Sequence, residues 1–345
     1  MDIRGRLRIE IIPGGIVKKI SWKVILPVVL GVISLVLFPP LLTAQNSARD
    51  ALKIFPADTQ ELAYTNLAQL RAQPSYDSIQ SGIFNAQLRG FTNFLRAMGI
   101  DPDKDVDEVT LGWHGSPIDP SAYYGLAFGR FDPGKVHDYF VSQNMTWQQY
   151  GGYDLYAFSG GETRQDLYFS FISYSTAAFG RLGDLKMLID VRGGSKPALE
   201  TKPVFAQYED ELEGTSAQWG IATGAAAVNH AGPWLAGGAN VGIDPRALMV
   251  PIKAVLYHID WDSGFGMHMT VVCDSVQSAS MISQLVSAWQ NTRQSPDTNA
   301  NPAITSFIQG LQVKSDGARV ELSGSAPVEI VGQILNGPPP QTKQK

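Results

Sequence analysis

"VLYHIDWDSGFGMHMTVVC", residues 255–273, decides the fold. Apolar and polar residues alternate on both sides of Asp262-Ser263-Gly264, the pattern of two half-buried strands joined by a tight turn. A three-residue loop sets Trp261 against Phe265, Ile259 against Met267, Tyr257 against Met269 and Val255 against Val271, which makes one face wholly apolar. A two-residue loop would set Ile259 against His268. Because a one-residue slip turns every side chain over, the pattern selects the first register. The sheet is therefore antiparallel, and His258 stands opposite His268 on its other face.

The surroundings of this hairpin recur earlier in the chain. "GIDP" at 242–245 repeats "GIDP" at 99–102, and "AQWGIATGAAAV" (217–228) parallels "ELAYTNLAQL" (61–70) as a short strand running into a helix. After each GIDP come two strands, a helix opened by Asp, and a hairpin. The earlier set is "DEVTLGWH", "SAYYGLAFGRF", a helix from Asp132 and "TWQQYGGYDLYAF". The later set is "IKAVLYHIDW", "FGMHMTVVC", a helix from Asp274 and "LQVKSDGARVELSG". Asp132 followed by Pro133 is an N-cap followed by proline at the first helical position, and Asp274 is expected to cap in the same way. Gly151-Gly152 and Ser315-Asp316-Gly317 suit the positive φ of hairpin turns. Ala279, Ile282, Leu285, Val286 and Trp289 recur at helical spacing, as do Phe84, Leu88, Phe91, Leu95 and Met98. The expected fold class is α+β: two tandem repeats, residues 57–215 and 216–336, with antiparallel sheets packed on helices in two layers. The first is enlarged by extra strands and helices between Asp166 and Gly214.

Ahead of the repeats lies a different kind of sequence. Residues 1–23 carry Arg4, Arg6, Arg8, Lys18, Lys19 and Lys23 against Asp2 and Glu10, and residues 24–44, "VILPVVLGVISLVLFPPLLTA", are uncharged. A run of that length can span a hydrocarbon core of roughly 30 Å as a helix. The positive-inside rule puts the basic segment in the cytoplasm and the bulk of the chain on the periplasmic or extracellular side. Two readings compete, an uncleaved signal anchor and a signal peptide cut after "LTA". The long apolar run, the long basic segment and Leu42 at a position that prefers a small residue favour the anchor. Residues 45–56 are expected as a linker, and 337–345, "GPPPQTKQK", as a disordered tail.

Removing the six basic and two acidic residues of 1–44 from the chain's 27 Lys+Arg and 32 Asp+Glu leaves 21 and 30. An acidic exported region without a basic cluster excludes nucleic acid as the natural partner, since phosphate neutralisation dominates that binding. Cys273 has no second cysteine to pair with, so the core must hold the fold.

Asp101, Asp103, Asp105 and Asp107 alternate like calcium ligands. A twelve-residue EF-hand loop from Asp101 requires Gly at position six and Glu at position twelve, where this chain has Val106 and Gly112. The stretch reads instead as a helix stop at Gly99, a turn at Asp101-Pro102 and a polar approach to a strand. No zincin, nucleophile-elbow, Walker or paired-cysteine motif occurs. His114, His137 and His230 stand alone in sequence, and Cys273 reads as a small buried hydrophobe. His258 and His268 can hold a zinc or copper ion once a third ligand joins, and Asp260 is the local one; the plainer reading is a pair of solvated imidazoles. No catalytic, cofactor or metal residue is assigned on sequence alone. Trp113, Tyr123, Tyr124, Trp147, Tyr150, Tyr153 and Tyr156 supply either core packing or a binding surface.

The anchor, "FPADTQELAYTNLAQLRAQPSY", "GIDPDKDVDEVTLG" and the closing "VKSDGARVELSGSAPVEIVGQIL" together resemble a loose group of exported, membrane-anchored bacterial proteins of unknown function. That resemblance implies location and architecture but no site residues. The expectation is a non-enzymatic binding or scaffold protein, held to lipid by its N-terminal helix, that meets a protein partner as an accessory subunit of a membrane complex. The alternative is an envelope enzyme or metal-binding protein using the His258/His268 strand face.

Overall fold

In the computed structural model, Ile259 pairs with Met267, His258 with His268, Tyr257 with Met269 and Val255 with Val271, the register that the alternation demands. The structure describes residues 47–74, 76, 86–114, 123–158, 166–235, 251–262, 264–292 and 302–327. The basic segment 1–23, the apolar run 24–44, the second GIDP at 242–245 and the tail 337–345 lie outside the described residues. Among the described residues no helix is long and apolar enough to cross a membrane.

In chain order the elements are α1 (Ser47–Ile54), β1 (Glu61–Asn66), α2 (Leu67–Arg71), α3 (Ala86–Ala97), α4 (Pro102–Asp105), β2 (Val106–Trp113), β3 (Tyr123–Gly129) and α5 (Pro133–Ser142). There follow β4 (Trp147–Tyr150), β5 (Tyr153–Ala157), β6 (Leu167–Phe171), β7 (Thr176–Arg181), α6 (Leu182–Arg192) and α7 (Pro203–Leu212). The last are β8 (Gln218–Thr223), α8 (Gly224–Leu235), β9 (Ile252–Asp260), β10 (Phe265–Cys273), α9 (Val276–Thr292), α10 (Pro302–Gly310), β11 (Gln312–Asp316) and β12 (Arg319–Ala326).

All the strands belong to one antiparallel sheet of 12, ordered β11-β12-β10-β9-β8-β1-β2-β3-β7-β6-β5-β4. The two expected sheets therefore meet edge to edge through β1 and β8, Leu62 opposite Ile221 and Tyr64 opposite Trp219. Joining them removes two exposed strand edges, which would otherwise invite pairing with other chains. The described residues form one compact unit.

Helices cover both faces, so the expectation of two layers is corrected to three. One face buries Leu62, Tyr124, Leu126, Leu155, Trp219, Ile221 and Leu256 under α1, α6 and α7. The opposite face buries Val255, Met269, Val271 and Val320 under α8 and α9, where Ala279, Ile282 and Val286 form the expected apolar stripe. Farther along it, Phe140, Tyr156, Phe169 and Ala177 pack with Leu95, Met98 and Val136 of α3 and α5. Residues 47–54, expected as linker, form α1 because Ala48, Ala51 and Leu52 recur at helical spacing and seal the first face with Phe55. The insert between Asp166 and Gly214 supplies β6, β7, α6 and α7, and thus most of that third layer.

The local signals act largely as expected. Asp132 accepts the Lys135 N–H at 3.2 Å and Pro133 opens α5. At the second Asp-opened helix the cap shifts by one residue: Ser275 Oγ accepts the Ser278 N–H at 3.1 Å, and Asp274 accepts the Ser278 hydroxyl at 2.7 Å. A hydroxyl one position nearer the helix reaches its free N–H more directly. Gly99 takes φ +84° at the end of α3, and Gly151, Gly152 and Gly317 take positive φ in the hairpin turns.

Candidate functional site

The unusual chemistry lies where the third layer stops. On β10 and β12 the residues facing that side alternate outward, with His268, Glu321 and Ser325 exposed, while the intervening Met269, Val271, Val320 and Leu322 are buried. His258 and His268 stand across the strand pair with their rings stacked, centroids 4.5 Å apart and planes 14° apart. Asp260, next outward on β9, turns one carboxylate oxygen toward both: Oδ2 lies 3.4 Å from His268 Nε2 and 3.8 Å from His258 Nε2. Burial, then the neighbouring His268, lowers the pKa of His258 against the opposing pull of Asp260, which favours neutral imidazole. The structure thus brings together His258, His268 and Asp260.

A second cluster, which sequence reasoning missed, lies under α8 on the opposite face. Glu61, at the start of β1, is buried, and its Oε1 accepts the Tyr257 hydroxyl at 3.1 Å and lies 2.9 Å from His230 Nε2. Tyr257 reaches it by crossing β8 at Gly220, where any Cβ would overlap the phenol ring. Burial, reinforced by Glu61, raises Tyr257 well above the usual phenol range and lifts Tyr123 to about 12. The missed signal was a glycine in register with a tyrosine, since a glycine inside a strand marks a close approach. A charged residue opening a strand ahead of the apolar Leu62-Ala63 was the other clue.

The remaining candidates are accounted for structurally. Asp101 caps α4 by accepting the Asp103 N–H at 3.3 Å, Asp105 accepts the Asp101 N–H at 2.7 Å, and Arg96 bridges Asp101 and Asp103. Arg71 and Arg130 hold Asp107. The acids thus stitch the α3–β2 connection. His114 lies between Asp58 and Asp184, at 3.3 and 3.6 Å. His137 contacts Asp154 and the Tyr156 hydroxyl, each at 3.3 Å. Cys273 is buried, and that burial, then Asp274, pushes its thiol up to about 11. Of the aromatics, Trp113, Tyr124 and Tyr156 are core residues, whereas Tyr123 and Trp147 are partly open. They do not form one outward platform. The acidic trio Glu209, Asp210 and Glu213 is bridged by Arg49.

No family model matches the chain, and no curated protein matches it. Among solved structures it is similar to the Treponema protein TP0453. Crystal form I gives a TM-score of 0.48 at 11% identity over 83% of this chain and 96% of that one. Form III gives 0.48 at 11% over 84% and 98%, and form IV gives 0.44 at 12% over 82% and 97%. At that distance the likeness carries neither a function nor a site.

Proposed function

We propose that this chain is a membrane-anchored, extracytoplasmic binding or scaffold protein, serving as an accessory subunit of a membrane protein complex. The observation that carries the reading is the uncharged run Val24–Ala44 directly after six basic residues, which orients a single span with the folded region outside. The architecture is in keeping with a rigid scaffold. We further propose that the region arose by tandem duplication, because strand, helix, two strands, helix and hairpin follow one another in the same order on either side of the β1–β8 seam.

Two measurements test this. A C-terminal alkaline phosphatase fusion is active outside the cytoplasm, whereas a fusion to a reporter that works only in the cytosol stays dark; the reverse pattern overturns the topology. Affinity purification from detergent-solubilised membranes recovers one or more defined partners in fixed ratio, and recovery of the chain alone removes the accessory-subunit reading.

A further inference from the structure

We propose that His258, Asp260 and His268 form a binding site for a zinc-class divalent cation, with three protein donors and one coordination position left to solvent. The inference stands apart from the membrane topology and the scaffold reading, since it rests on one hairpin alone.

The geometry is the first argument. The His268–Asp260 contact of 3.4 Å and the His258–Asp260 contact of 3.8 Å are long for hydrogen bonds. They are close to the edges of a tetrahedron around an ion: bonds of ~2.0–2.1 Å imply edges of ~3.3–3.4 Å. One carboxylate oxygen faces both Nε2 atoms, and all three donor atoms lie within 4.8 Å of one another. The rings are near-parallel, so closure on one ion requires each imidazole to turn out of the stack while the β9–β10 register holds the backbone. The β9–β10 register holds the two imidazoles directly opposite, so the protein has already met much of the ordering cost of a chelate.

Donor chemistry is the second argument. Two imidazoles and a carboxylate are the set that zinc uses when a fourth position is kept open. Copper and nickel bind the same donors, copper more tightly. Calcium and magnesium call for six or more oxygens and do not fit. Other histidines offer less: His114, His137 and His230 each bring a single imidazole to carboxylates or phenols. Among the described residues, the other cluster of suitable spacing is the carboxylate trio already paired with Arg49.

The test uses the full-length chain, purified in mild detergent with a tag free of histidine and stripped with EDTA. Titration with zinc chloride by calorimetry is expected to give one equivalent, and cobalt(II) to give the visible absorption of a tetrahedral centre. His258→Gln and His268→Gln each weaken zinc by roughly 100-fold or more, beyond the 10–100-fold typical of losing a supporting partner. Asp260→Ala, which removes a direct donor, weakens it by a comparable factor, and His137→Gln, outside the site, leaves it unchanged. Melting curves in EDTA separate site loss from misfolding; should His258→Gln unfold, the more exposed His268→Gln decides alone. Zinc binding no weaker in the folded His268→Gln variant, absence of binding below millimolar zinc, or displacement of cobalt by calcium would each overturn the proposal.

Discussion

The two ends of the sheet finish differently. Beyond β3 the chain inserts β6 and β7 into the sheet, with α6 over those two strands and α7 over β8 and β9, so one face lies beneath helices from β6 across to β9. At the other end β10 is followed in the sheet by β12 and β11, and there the same face carries His258, His268, Ser323 and Glu321, with Val272 at the margin of the core. The lesson is that the insert decides where a core can form. A strand face with a helix above it selects Leu, Tyr and Ala, whereas one without is free to hold ionisable groups.

The largest loss is expected where α7 covers β8 and β9. Phe205 of α7 is 1% exposed and packs in the first-face core. Phe205→Ala is expected to cost about 3–5 kcal/mol in urea unfolding, the usual range for a buried Phe, whereas His268→Ala on the open face stays within about 0.5 kcal/mol in EDTA. Equal losses would mean that the open face is packed after all.

The next effect concerns a device that both halves share. Tyr124 crosses Gly112 and Tyr257 crosses Gly220, each setting its hydroxyl on a distant acceptor: Tyr124 on Thr59 at 2.7 Å, Tyr257 on Glu61 at 3.1 Å. Thr59 already donates to the Pro56 carbonyl at 2.6 Å, so the Tyr124 phenol is the donor. Gly112→Ala and Gly220→Ala should each destabilise by about 1–3 kcal/mol through overpacking. The second should be largely rescued by Tyr257→Leu, and a double-mutant cycle without coupling would refute the crossing. Glu61→Leu, which strips Tyr257 and His230 of their shared acceptor, is expected to cost about 1–3 kcal/mol.

These pairs also mark how far the sequence could be read. The β9–β10 register followed from one apolar face, because alternation and turn length admit a single solution there. The strands, helices and insert were legible for the same reason. Local pattern says nothing, however, about which strand edge meets which, so the β1–β8 seam that fuses two sheets was invisible. Nor did it show that 47–54 would be needed as a lid, although the spacing of Ala48, Ala51 and Leu52 was there to be read. Of the two ionisable clusters, His258/His268 is local to a hairpin and could be found. Glu61, His230 and Tyr257 come from three elements far apart in sequence, and only the Gly220–Tyr257 register and the charge opening β1 hinted at them.

A smaller effect separates the two Asp-opened helices. Ser275→Ala removes the cap of α9 and should cost about 1 kcal/mol in thermal or urea unfolding. Asp274→Ala removes exposed contacts to the Ser278 and Ser275 hydroxyls but not the cap itself, and should cost less. The opposite ranking would restore Asp274 as the cap.

The smallest effect is a pH dependence confined to the covered half. Burial alone would lower His114, but Asp184 and Asp58 outweigh it and leave the pKa raised. A histidine raised on folding contributes stability that is fully present below its unfolded value of about 6.5 and is lost as pH rises through the folded value. His114→Gln should therefore lower the urea midpoint at pH 5.5 more than at pH 8.5, and Asp184→Asn should flatten the same difference. His268→Gln, measured in EDTA on the open face, lacks that covered setting and should leave the His114 profile intact. If the His114 variant loses equally at both pH values, the ring serves by packing against Tyr124, whose centroid lies 4.6 Å away, and not through its charge.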